Sequence, residues 1–332
     1  KLTGALPAVD GSALTGVESV TKSASDPIVS TNPAGGVGTL FLNTTSGEMW
    51  SCTDATAGAN VWVNIGDGTV GFMAATGGTI SILGNFKVHV FTSSTGTFTV
   101  SKVGVGLSEY LMVGGGGGGG VGGGGAGGYL TGGVATTLAV GDYPIIIGAG
   151  GVTGGSPTNG ADSTFAGLAA VGGGGGGYNT QPGTGGSGGG VGHHAGHTIG
   201  AATAGQGNNG GGPDNHASQT TSGAGGGGAG AVGEDKGNPS FAHAGDGGAG
   251  LSNSITGSAV LYAGGGGGGC NSDGIDGVGG SGIGGYGDGN GGNRFGVVNT
   301  GSGGGACLWG ACPWACTCPL GRILSNDETT TL

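Results

Sequence analysis

Short apolar stretches, each running straight into a block of glycine, set the rhythm of this chain. Leu111-Met112-Val113 leads into glycines 114–120, Leu168-Ala169-Ala170-Val171 into glycines 172–177, and Val260-Leu261-Tyr262-Ala263 into glycines 264–269. Upstream, aromatic and β-branched residues gather in short runs separated by turn formers. Leu40-Phe41-Leu42 precedes a turn at Thr45-Ser46-Gly47, then Met49-Trp50-Ser51-Cys52, a loop through Gly58, and Val61-Trp62-Val63-Asn64-Ile65. Phe86-Lys87-Val88-His89-Val90-Phe91 and Phe98-Thr99-Val100, joined through Ser93-Ser94-Thr95-Gly96, read as a hairpin with one buried face. Tyr110–Val113, Val134–Val140 and Tyr143-Pro144-Ile145-Ile146-Ile147 add further strand candidates. No segment carries a helical period. The pattern predicts an all-β chain.

The glycines then change the picture. The chain has 97 of them in 332 residues, about four-fifths lying between residues 114 and 306. Each ordered glycine forfeits roughly 0.5–1 kcal/mol of backbone entropy beyond alanine in a helix or strand. A flexible linker would be poor in apolar residues, whereas here apolar stretches feed every long run, so the region reads as folded. Collagen is excluded, because glycine does not recur strictly every third residue and proline is scarce. Helix and strand are both disfavoured by glycine. The remaining regular choice is the extended polyproline II conformation, whose free backbone groups must find partners. Side-by-side packing of glycine helices supplies them. The expected fold is an elongated all-β fibre of small β modules, followed by a β-sandwich-like layer and a polyglycine II bundle. Its divisions are an extended connector over 1–38, a small β module over 39–72, a strand layer over 73–113, the glycine-rich domain over 114–306, and a Cys/Trp-rich tail over 307–332. A module of about 30 residues has too little core to stand alone, which predicts assembly with further copies of the chain, most simply a homotrimer.

Charge narrows the partners. Charged residues make up 8% of the chain and the net charge is −11, with no lysine or arginine between Lys102 and Lys236. Nucleic acid and anionic membrane are therefore poor partners. No apolar run approaches the ~20 residues that span a bilayer. The chain opens at Lys1 without methionine or a signal-like segment, which reads as a processed or partial chain. Cys52 and Cys270 stand alone, while Cys307, Cys312, Cys316 and Cys318 crowd the end. Their spacing fits neither a C-x2-C zinc pair nor a familiar disulfide framework, and leaves zinc, a local disulfide or free thiols open. With Trp309 and Trp314, this tail reads either as a plug or assembly surface or as an unstructured end.

Candidate chemistry sits in the loops between glycine runs. Tyr178, Asn179 and Gln181; Asp214, Asn215 and His216; Phe241; and Tyr286, Asp288 and Asn290 combine amphipathic rings with adaptable hydrogen-bonding groups, a mixture suited to recognition. The bland alternative is ordinary solvated turns, since Asn, Asp and Gly form turns anyway. His193-His194-x-x-His197 presents imidazoles, but a polar turn accounts for it better than a metal site. Gly284–Asp288 falls short of a calcium nonapeptide, and no phosphate loop, nucleophile elbow or paired-carboxylate motif is present. The sequence thus calls for no cofactor, metal or catalytic residue.

Two stretches also resemble a known family. Thr39-Leu40-Phe41-Leu42-Asn43-Thr44-Thr45-Ser46-Gly47-Glu48-Met49-Trp50, continuing to Gly66-Asp67-Gly68, is similar to a short module of bacteriophage tail fibres. Phe86–Val100 followed by Glu109–Gly114, and Gly141-Asp142-Tyr143 through Gly151, resemble the start of their glycine-rich terminal domain; Leu2–Gly11 resembles their connectors. The resemblance ends before Cys307–Leu332. It implies a virion-tail receptor-binding adhesin that meets a host-surface glycan or outer-membrane protein through loops at the bundle end, held by other tail or baseplate proteins and without chemical turnover. A self-assembling extracellular filament is the competing expectation.

Overall fold

The structure, a computed structural model, describes residues 20–66, 73–83, 86–103, 108–134, 138–193, 196–213, 222–237, 243–270, 274–287, 294–307 and 326–327. The chain divides between Phe72 and Met73 into two compact units.

In the first unit, β1 (Thr21–Ser23), β2 (Leu40–Asn43), β3 (Met49–Asp54) and β4 (Val61–Gly66) form one sheet in sequence order. β1 runs parallel to β2, and the remaining pairs are antiparallel. The core is thin. Phe41 and Cys52 are buried, and Phe41 meets Trp62 edge-on at 5.6 Å. Polar groups do much of the tying. Asn43 donates to Asp26 at 2.7 Å, Asn60 donates to Val29 and Asn32, and the Trp62 indole donates to the Thr31 carbonyl. Val61, Val63 and Ile65, alternating along β4, are exposed.

The second unit joins a β layer to the glycine region. Its strands are β5 (Ala74–Thr76), β6 (Thr79–Leu83), β7 (Phe86–Val90), β8 (Thr95–Lys102), β9 (Ser108–Val113), β10 (Tyr129–Val134), β11 (Gly141–Ile146), β12 (Ser163–Phe165), β13 (Leu168–Ala170), β14 (Leu251–Asn253), β15 (Val260–Tyr262) and β16 (Asn326–Asp327). A five-stranded sheet runs β13-β12-β11-β8-β5, a three-stranded one β16-β7-β6, and β9–β10 and β14–β15 form separate pairs. The only helical element among the described residues is a three-residue turn at Gly280–Gly282. The chain is all-β, as its alternation predicts.

One pairing differs from the sequence expectation. β7 and β8 do not form a hairpin with each other: β7 pairs with β6 and β16, while β8 pairs with β5 and β11. Gly77 and Gly78 explain the change, since both take positive φ (113° and 66°) and turn the chain sharply between β5 and β6. A side chain at Gly78 would also meet the Val90 carbonyl at 2.7 Å. That turn sends β5 and β6 into different sheets and frees β6 to pair with β7. Of the strand candidate Val134–Val140, Val134 ends β10, residues 138–140 lie in no strand, and residues 135–137 fall outside the described residues.

The apolar lead-ins are strands, and two clusters bury Leu111–Val113, Ala170, Tyr262 and Ala263. Phe91, Phe98, Val100, Met112, Ile145, Phe165 and Ala170 form one; Val88, Leu111, Val113, Ala126, Tyr129, Tyr262 and Ala263 form the other. β9 lies between them, sending Met112 one way and Leu111 and Val113 the other. A strand buried on both faces needs an unbroken apolar run. Edge-to-face contacts link His89, Phe98 and Phe165 at 5.1 and 5.7 Å.

Beyond the strands, backbone bonds to backbone with a repeat of three residues. Residues 121–128 lie at the centre of this lattice. Gly122, Gly125 and Gly128 donate to Gly177, Gly174 and Val171; Gly123 and Ala126 donate to Ala224 and Gly227; Gly124 and Gly127 donate to Gly304 and Gly301, all at 2.7–2.9 Å. Their carbonyls accept from three further segments. Gly114, Gly117 and Gly120 donate to Gly128, Gly125 and Gly122; Ser187 and Gly190 donate to Ala126 and Gly123; Gly266 and Gly269 donate to Gly124 and Val121. One segment therefore has six neighbours, each reached by every third residue. The approach is close enough that a Cβ on Gly124 would strike the Gly117 carbonyl, and one on Gly117 the Gly174 carbonyl. Glycine is required here by backbone contact, not by turn geometry.

Candidate functional site

The hydrogen-bond registers fix the direction of every lattice segment, and direction determines where the loops emerge. Residues 114–120 run away from the β layer. Residues 148–154, 172–177 and 301–307 run parallel to them, since Gly151, Gly154, Gly173, Gly176, Gly304 and Cys307 bond along the run at constant offsets. Residues 187–192, 207–212, 233–237, 263–269 and 284–287 continue in that outward sense through their own neighbours. Residues 122–128, 223–229, 244–250 and 276–280 return, antiparallel to outward partners.

The two ends are therefore unequal. At the β-layer end, return segments close through tight turns, such as the one where Gln206 donates to the Thr203 carbonyl, or through the β14–β15 hairpin. Outward segments reach the far end at residues 177, 192, 212, 237 and 287. The sequence-predicted candidates follow these ends in the chain, except Tyr286, which lies on the outward segment 284–287 itself.

Of those candidates, Tyr178, Asn179, Gln181 and Tyr286 are described, and Asp214, Asn215, His216, Phe241, Asp288 and Asn290 lie outside the described residues. Tyr178 is half-buried and meets the His193 ring edge-on at 5.8 Å. Gln181 is exposed, and its Oε1 accepts from the Thr198 amide at 2.9 Å and the Thr198 hydroxyl at 3.3 Å. The structure thus ties 178–181 to 193–198. Asn179 is exposed beside them, and Tyr286 is half-buried on its own segment. His193 and His197 are half-buried, and His194 lies outside the described residues. Among the described residues, no group of three or more His, Cys, Asp or Glu could hold a metal ion.

Where the lattice lacks a backbone partner, a polar side chain takes its place. Asn159 accepts from Gly175, Asp162 from Gly172, Asp235 from Gly212, Asp246 from Val278 and Asp276 from Cys270, each at 2.6–2.8 Å. Gln206 accepts from Val171 and donates to the Ala169 carbonyl. Sequence reasoning treats these as dispersed polar residues. For four of the six the signal is an Asn, Asp or Gln directly before a glycine, at Asn159-Gly160, Gln206-Gly207, Asp246-Gly247 and Asp276-Gly277, while Asp162 and Asp235 carry none.

The end of the last outward segment is covalently tied. Cys307 is buried and disulfide-bonded, while Cys52 and Cys270 are buried thiols outside any disulfide. Cys312, Cys316 and Cys318 fall outside the described residues.

A family model described as a glycine-rich domain matches residues 92–315, about two-thirds of the chain. The chain belongs to this family. The match begins next to β8 and runs past Cys307, so the glycine-rich domain takes in part of the β layer as well as the lattice. Neither a curated protein nor a solved structure matches the chain.

Proposed function

We propose that this glycine-rich domain protein is a non-catalytic attachment protein, a phage tail fibre or adhesin that binds a host-surface glycan or outer-membrane protein through the far-end loops. One observation carries the reading. Connections rich in Tyr, Asn, Gln and Asp open from the same end of a nearly uncharged lattice, while the opposite end closes in tight turns or joins the β layer. A scaffold stitched by backbone hydrogen bonds fixes the segments that flank these connections without committing the sequence between them. Recognition loops gain from that arrangement, because preorganisation lowers the entropy lost on binding. The resemblance of Thr39–Trp50 and Glu109–Gly114 to tail-fibre segments supplies the virion-tail setting, with other tail or baseplate proteins behind the fibre.

The three-residue repeat supports polyglycine II helices as the lattice conformation, since that helix has three residues per turn. Backbone couplings and shifts placing glycines 114–120 and 172–177 near φ −75° and ψ +145° test it, as roughly the values of that helix. Exposed Val61, Val63 and Ile65 on a unit with so thin a core support a homotrimer. Mass measurement of purified particles tests that part: a closed trimer sustains it, a monomer ends it, and open-ended polymers favour a filament.

Adsorption of the protein to host cells with loops exchanged at 178–181, 214–216 and 286–290 tests the attachment reading. Loss of binding or a changed host range is the expected result. Unchanged binding in all three correctly folded exchanges would leave the lattice a purely structural part. Several weak sites on one fibre add through effective concentration, so single exchanges weaken adsorption less than the combination.

A further inference from the structure

We propose a second binding site, for a neutral sugar ring, at the opposite end of the glycine-rich domain from the loops discussed above. A cavity of about 440 Å³ opens there, lined by Leu83, Phe86, Glu109, Thr131, Ser252, Asn253, Ser254 and Ile255. Its volume falls within the about 300–1,000 Å³ of small-molecule clefts.

Strand register builds the cleft. Thr131 pairs with Leu111 across β9–β10, so it shares a face with Leu111 and with Glu109 two residues earlier. That face is apolar where it meets the lattice, at Val113, Leu111 and Tyr129, and turns polar at its outer end. The β14–β15 hairpin forms a second wall. Asn253 is fixed at both ends of its amide, donating to the Tyr129 hydroxyl at 3.0 Å and accepting from the Ile255 amide at 2.9 Å. The β6 and β7 side supplies the third wall, and Gly257 of the hairpin seats against the Leu83 side chain.

The free chemistry points to a polyol. Among the described residues, the side chains of Glu109, Thr131, Ser252 and Ser254 make no hydrogen bond, although the structure around them is tied down. Phe86 is 43% exposed and Leu83 40%, which leaves a ring face and an apolar edge open to the cleft. A pyranose matches both features. Its C–H face packs on an aromatic ring, while adjacent hydroxyls donate to the two oxygens of one carboxylate and exchange donors and acceptors with hydroxyl side chains. An anionic sugar would meet the Glu109 charge unpaired. An ammonium, primary or quaternary, offers no acceptor, and would leave the three hydroxyl protons without one.

This site stands independently of the attachment reading and is testable apart from it. The full-length chain is to be probed with an array of neutral hexopyranosyl di- and trisaccharides, sialyllactose and tetramethylammonium, with binding followed by saturation-transfer NMR. The expected result is binding of neutral saccharides, with loss of about tenfold or more in affinity, roughly 1.4 kcal/mol, in both Phe86→Ala and Glu109→Gln. Exchange of residues 178–181 should leave that binding unchanged. Both substituted side chains are exposed, and near-ultraviolet circular dichroism confirms that the variants fold. Three results would overturn the proposal: no neutral saccharide binding, binding indifferent to both substitutions, or equal or better binding of sialyllactose or tetramethylammonium.

Discussion

The β layer and the glycine lattice of the second unit are built on opposite accounts of what a core is. In the β layer, side chains fill space: Phe98, Ile145 and Phe165 are buried, and the two rings meet edge to face. In the lattice the space between segments is already filled by backbone, and the hydrogen bonds that elsewhere run within one sheet radiate to six neighbours. The first core fails when atoms are removed. The second fails when they are added.

That contrast sets the order of expected effects. Phe98→Ala should be the most damaging, at about 3–5 kcal/mol, because it opens a cavity between His89 and Phe165. Chemical denaturation measures it, and a loss under about 1 kcal/mol would mean that the β layer does not rest on this ring. Gly124→Ala adds a single methyl group against the Gly117 carbonyl, and should cost about 1–3 kcal/mol. In an ordinary strand the same change would stabilise, so a neutral or stabilised variant breaks the comparison outright.

Asp276→Ala lies next, at about 1–3 kcal/mol, since the buried Cys270 amide loses its acceptor. Asp276→Asn keeps an oxygen for that bond and should recover most of the loss in the same thermal-melt series. The smallest effect belongs to the first unit. The hydroxyl and amide of Thr56 hold the exposed Asp54 carboxyl below its ordinary value of 3.8. Its contribution is present above that value and fades as pH falls through the lowered one. Replacing Thr56 with valine should raise the Asp54 midpoint in an NMR titration, and an unmoved midpoint would refute the cause.

Much of this was legible in the chain, for reasons that differ by element. Leu111–Val113, Leu168–Ala170 and Val260–Tyr262 announce strands by their apolar runs, although only the first is buried on both faces, and the other two leave Leu168 and Leu261 exposed. The partners of β7 and β8 were not legible, because the two glycines that decide them act through φ and close contact rather than through pattern. The side chains that stand in for missing backbone acceptors were hidden for a related reason. Asp246 and Asp276 look like turn residues, and only the register reveals that a neighbouring amide lacks a backbone acceptor. Gln181 shows the same limit at the candidate site: it reads as a recognition residue, yet its oxygen is engaged by Thr198.

The three-residue repeat also governs how such a chain can change length over generations. Inserting one residue into a glycine run would turn every later amide towards a different neighbour, disturbing several contacts at once. Adding or removing three restores each amide to its former partner segment, displaced by one turn. Runs are thus free to drift in whole steps of three, while the connections between them accept insertions of any size. Variation is channelled towards the loops by the arithmetic of the scaffold, whatever those loops come to recognise.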